Sequence, residues 1–133
     1  MPTADAPADP PADPADAAQL AVGSVLRTLD EGGTPERADL AAAVRVTLKS
    51  LAAAAPGHSV EVRVPPWGAV QCVAGPRHTR GTPKAAVETD PVTWLLLATG
   101  RLSFAEATAQ GRVRASGERS DLGAHLPVPG EWV

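Results

Sequence analysis

Few residues in this chain have types and spacing suited to chemistry. The densest cluster is Arg77-His78-Thr79-Arg80, inside the loop GPRHTRGTP, with Lys84 just beyond. Two guanidiniums in a glycine-bounded loop can grip a phosphate or carboxylate bidentately. Thr79 and exposed backbone N–H groups can add further donors. The same arginines can equally pair with Glu88, Asp90 or Glu118 and pin the loop to the body. His58, His78 and His125 do not fall at zinc-ligand spacing with one another. His58 follows Pro56-Gly57 and reads as a surface turn residue. Cys72 is the sole cysteine, which excludes an internal disulfide and a multi-cysteine metal site. Set between Gln71 and Val73, it reads as a small buried hydrophobe. The chain has no G-x-S-x-G, phosphate-binding glycine loop or dinucleotide fingerprint. The expectation is a protein with no catalytic residues, no metal and no cofactor.

The elements that must position these groups are more legible. Asp90 is a good N-cap with Pro91 at the first helical position. Trp94, Leu95, Leu97 and Ala98 then form an apolar face, and Gly100 stops that helix. Ser103 opens a second helix, where Glu106 completes a capping box, and Gly111 ends it. Val113 and Ala115 alternate with Arg112, Arg114 and Ser116, the period of a half-buried strand. Glu118 to Leu126 reads as one short helical turn, with Arg119 and Asp121 fastening it to the strand. Trp132 is expected to pack back onto the body.

Upstream, Asp16 to Leu29 predicts a helix with Leu20, Val25, Leu26 and Leu29 near one face, weakened by Gly23. Thr34 and Pro35 supply a cap and an N1 proline for a second helix over Pro35–Ala55. There Leu40, Val44, Leu48 and Leu51 make the stripe, and Pro56-Gly57 ends it. Val60, Val62 and Val64 alternate with polar residues, Pro65-Pro66-Trp67-Gly68 turns, and Ala69 to Ala74 returns as an antiparallel hairpin. Trp67 at the tip is either a partner contact or a lid on the core. Lys84 to Thr89 is a third strand running into the Asp90 cap. The fold expected is α+β, a mostly antiparallel four- to five-stranded sheet covered on one face by helices. A fifth strand has room only around Thr79 to Thr82.

Composition limits the function classes. The 133 residues fit one domain. Residues 1–15 are rich in Pro, Ala and Asp with almost nothing to bury, and are expected to be a disordered tail. Residues 16–133 are expected to form the domain. Net charge is −3, and setting aside Asp5, Asp9, Asp13 and Asp16 leaves about +1. Neither value suggests a nucleic-acid partner. The N-terminus has no basic region followed by an apolar run, and no apolar stretch approaches ~18 residues. The C-terminus is not a peroxisomal address. A cytoplasmic protein without a transmembrane segment is expected.

The run from Asp90 through TWLLLATGRLSFAEATAQGRVRASG resembles the C-terminal core of the sterol carrier protein superfamily. Asp90, Leu97, Gly100, Ala107, Gly111, Val113 and Gly117 carry the match. The preceding SVEVRVPPWGAVQCVAGPRHTRGTP is similar to an actinobacterial branch labelled "sterol carrier family protein". The resemblance spans roughly Ala38 to Leu126. It implies a twisted sheet under helices with an apolar space between the layers, and a non-enzymatic carrier of lipid or another apolar small molecule. Leu40, Val44, Leu48, Val60, Val62, Val70, Trp94, Leu97 and Val113 are then the cavity-lining candidates. Alanine and valine supply most of the apolar atoms, with one Phe and one Met. Small side chains can widen such a cavity or let the layers close on each other. In the second case the domain is an accessory module with a protein partner at Trp67 and the arginine loop. A third reading is a small-anion binder or enzyme using Arg77, His78 and Arg80.

Overall fold

A computed structural model describes residues 14–75, 85–117 and 120–132, with side chains from Asp16 onward. Among the described residues four helices, four strands and one 3-10 turn follow in chain order: α1 Pro14–Asp30, α2 Arg37–Ala54, β1 Val60–Val64, β2 Gly68–Cys72, β3 Ala85–Thr89, α3 Pro91–Ala98, α4 Phe104–Ala109, β4 Val113–Ser116 and a turn at Gly123–His125. The sheet order is β2-β1-β3-β4. β1 pairs antiparallel with β2, and β3 pairs antiparallel with β4. The central β1–β3 pairing is parallel. The fold is thus the expected α+β sheet, mixed through that one parallel pair.

The register sorts the side chains by face. Val62 lies opposite both Val70 and Val87, and Val87 lies opposite Ala115. Side chains alternate along each strand, so these residues share the face on which Val60, Val62, Val64, Cys72 and Val87 are buried. The opposite face carries Arg63, Gln71, Arg114 and Ser116, all exposed. Helices therefore cover one side, and that side holds the core.

Local chemistry explains the helix ends around the second half. The Asp90 carboxylate accepts from Thr93 N at 3.0 Å and Thr93 Oγ1 at 2.6 Å, so both its oxygens hold α3's first turn. Ser103 Oγ accepts from Glu106 N at 3.0 Å, and Glu106 Oε1 accepts from Ser103 N at 3.3 Å. The capping box read from the sequence is complete. Gly100 and Gly111 take φ of +82° and +71°, the left-handed conformation that a helix stop needs.

Several expectations change. Leu20 points outward and is 66% exposed, while Ala21, Val22, Val25 and Leu26 are buried. Two residues are about 200° of helical rotation, so a stripe centred on Val22 puts Leu20 on the far side. α2 starts at Arg37, with Glu36 rather than Thr34 at the N-cap and no side-chain cap bond. β2 ends at Cys72, not Ala74, because Val73 turns to φ +67°. Val73 is held there: its N–H donates to Ala55 O at 2.7 Å, and its carbonyl accepts from Ser59 N at 3.1 Å and Ser59 Oγ at 2.6 Å. Most of the expected tail and the stretch proposed for a fifth strand lie outside the described residues.

Candidate functional site

The nine cavity candidates come together, but as packed core. Val44, Leu48, Val60, Val62, Trp94 and Leu97 are at most 2% exposed, and Val113 is also buried. Leu40 and Val70 are half-buried and pack against the same cluster. Trp94 spans the layer, its Nε1 donating to Thr47 Oγ1 at 2.8 Å. The Thr47 hydroxyl lies 2.7 Å from the carbonyl of Ala43, to which it donates. A buried indole N–H thus finds a partner and fixes α3 against α2. Alanine and valine side chains let the helices settle close onto the centre of the sheet.

Open space lies at the β4 edge. A groove of about 850 Å³ runs between the sheet edge, the α3–α4 junction and the segment after β4. Leu97, Leu102, Phe104, Ala115, Leu126 and Pro127 supply its apolar lining. Ala115 is on the helix-covered face of β4, yet it is exposed. Of the nine candidates only Leu97 borders this groove. The other groove residues escaped the sequence reading. The inward direction of Ala115 was legible from alternation; its exposure was not.

The groove's elements are firmly held. Thr89 Oγ1 donates to Arg112 O at 2.7 Å, and Arg112 Nε donates to Thr93 Oγ1 at 3.1 Å, tying β3, α3 and β4. On the far wall, Val128 N donates to Ala98 O at 2.9 Å, and Ser50 Oγ donates to Pro129 O at 2.6 Å. Trp132 is buried, with Nε1 donating to Val128 O at 3.2 Å. The C-terminal segment is strapped over α2 and α3.

Several polar groups of the groove are already engaged. Arg101 pairs with Asp30. Ser103 and Glu106 form the capping box, and Asp121 Oδ1 accepts from Gly123 N at 2.8 Å. Neither histidine of the described residues lines the groove: His58 Nδ1 meets Gln71 Oε1 at 2.7 Å on the exposed side, and His125 sits in the 3-10 turn. Cys72 is fully buried, and burial pushes its thiol above the ordinary value. Among the described residues no three His, Cys, Asp or Glu side chains gather to hold a metal. Trp67 is half-buried against the core, with the Arg37 guanidinium 5.3 Å from its ring centroid, the geometry of a cation–π contact. Arg77, His78, Arg80, Lys84 and Arg119 lie outside the described residues.

Among curated proteins none matches the chain. The family model described as Bacterial SCP ortholog matches residues 36–128, from the start of α2 to the strap residue Val128, and leaves α1 outside. That match covers well over half of the chain, with the whole sheet and the groove within it, and the chain therefore belongs to this sterol carrier protein-like family.

Proposed function

We propose that this protein is a non-enzymatic binding or carrier module for a lipid or another apolar small molecule, seated in the groove at the β4 edge. The observation that carries the reading is Ala115, an inner-face residue left uncovered beside Leu97, Leu102 and Phe104. A space of this volume falls in the range of small-molecule sites, roughly 300–1,000 Å³. Binding would come from removing apolar surface from water, about 25 cal/mol per Å², before the cost of association. Nothing in such a site has to react. Leu97 would contact the ligand, and the other eight core candidates would hold the layer behind it. A cytoplasmic address belongs to the same proposal; no helix of the described residues is long and apolar enough to cross a membrane.

Native mass spectrometry of gently purified protein, followed by organic extraction, tests the reading. The expected result is an apolar molecule at close to one per chain. Ala115→Trp fills the groove from an exposed position, and should abolish loading without lowering the melting temperature. Leu102→Arg, at a half-buried position, should act in the same direction. A chain that stays bare after incubation with fatty acids, phospholipids, sterols and alkylamines would sink the proposal. So would an Ala115→Trp variant that loads as well as the parent.

A further inference from the structure

We infer that Trp132 is a positioning residue for the groove: it fixes the wall made by Leu126 and Pro127 and is not itself part of the lining. This rests on the groove being the binding site, and it adds the residue that sets that site's width. Leu126 and Pro127 line the groove. Neither belongs to a helix or strand, so no regular ladder of backbone bonds holds them. Their position has to come from the residues that follow.

Those residues are anchored on the core side. Val128 and Trp132 are both buried in the central cluster. Val128 N donates to Ala98 O, one of the carbonyls that a helix end leaves without an intrahelical partner. The carbonyl of the same Val128 accepts from Trp132 Nε1 at 3.2 Å, which closes Val128 to Trp132 into a loop. The indole lies over Gly130: a Cβ there would fall 2.1 Å from Trp132 Cζ2. The anchor thus needs the bulk of Trp132 and the bareness of Gly130. Pro127 precedes the residue so gripped, and it closes against Gly100, where a Cβ would sit 3.4 Å from its ring carbons. Displacing the anchor therefore displaces the wall. Trp132 and Gly130 lie beyond residue 128, where the family match ends.

Dodecanol, a neutral single-chain probe, titrated calorimetrically into the full chain reads the wall. Trp132→Ala, measured where circular dichroism shows it folded, should bind about tenfold more weakly, the loss of good contact with roughly one apolar side chain. Gly130→Ala keeps every anchor side chain but pushes the indole off its seat, and should weaken binding in the same way. Trp132→Phe refills the anchor site, gives up only the Nε1 bond, and should recover most of the affinity. Leu126→Ala trims the wall directly. Because Trp132 acts through that wall, its loss and the Leu126→Ala loss should not add: the double variant should bind little more weakly than the weaker single one. If Trp132→Ala does not fold, Gly130→Ala takes its place in the cycle. Parental affinity in the folded anchor variants overturns the inference, as do losses that simply add. In both cases a parent that binds dodecanol in an Ala115-dependent way leaves the groove reading standing. A parent that binds no dodecanol, or binds it equally well with Ala115→Trp, removes both.

Discussion

Thr47 and Trp94 show how a single polar pair decides the interior. The indole needs an acceptor once buried, and the Thr47 hydroxyl is the one it has. Thr47→Val keeps the shape and removes the acceptor. An unsatisfied buried donor costs about 1–3 kcal/mol, so denaturant unfolding should show a loss of that size. Cys72 gives a second test at this scale. Its thiol sits fully buried with its ionisation pushed upward by desolvation. Thiol reagents should leave native protein unlabelled at neutral pH and label it after unfolding. The sign for stability follows: the unfolded chain releases this proton first as pH rises. Cys72 therefore contributes stability below the free thiol's ordinary value, and loses it as pH climbs through the raised one. Rapid labelling of native protein would contradict the burial.

Elements meet tightly where α2 turns into the sheet. Gly57 has φ +150°, and a Cβ there would lie 2.1 Å from the Val73 carbonyl oxygen. Backbone stands in the way, so no side-chain rotation can relieve the clash. Gly57→Ala should therefore cost about 2–5 kcal/mol, combining an unfavourable φ with overpacking. A chevron or equilibrium denaturation curve reads this directly, and an unchanged midpoint would refute the junction's geometry. Pro56-Gly57 was legible as a helix stop from composition alone. Its partner Val73 was not, since a β-branched residue at positive φ is a position that no local propensity favours. Tertiary hydrogen bonds, donated to Ala55 O and accepted from Ser59, hold it there.

For the whole molecule, the question is where the domain begins. The family match starts at residue 36, yet Val22, Val25 and Leu26 of α1 share one buried cluster with Val44 and Leu48. We propose that α1 is part of the folding unit. Uncovering those three side chains would forfeit roughly 5–8 kcal/mol, comparable to the whole stability of a small domain, about 5–15 kcal/mol. A chain beginning at Thr34 should be largely unfolded or aggregated by circular dichroism and size exclusion. A fragment that melts as cooperatively and as hot as the full chain would place α1 outside the domain.

The sequence by itself determined the α+β class, the caps at Asp90 and Ser103, the stops at Gly100 and Gly111, and the inward alternation of β1 and β4. Each depends on residues within a few positions of one another, so each is written locally. It also carried the family resemblance, because those same caps and core positions are the matched ones. Only the tertiary structure decided that Leu20 faces out, that β1 and β3 run parallel, and that Val44, Leu48, Val60, Val62, Trp94 and Leu97 are buried in one cluster. These depend on which faces and which strands meet, and that is set by packing between elements remote in sequence. The uncovered Ala115 belongs to the same class of facts. Alternation pointed it toward the helices, and its exposure there was not written in the local sequence.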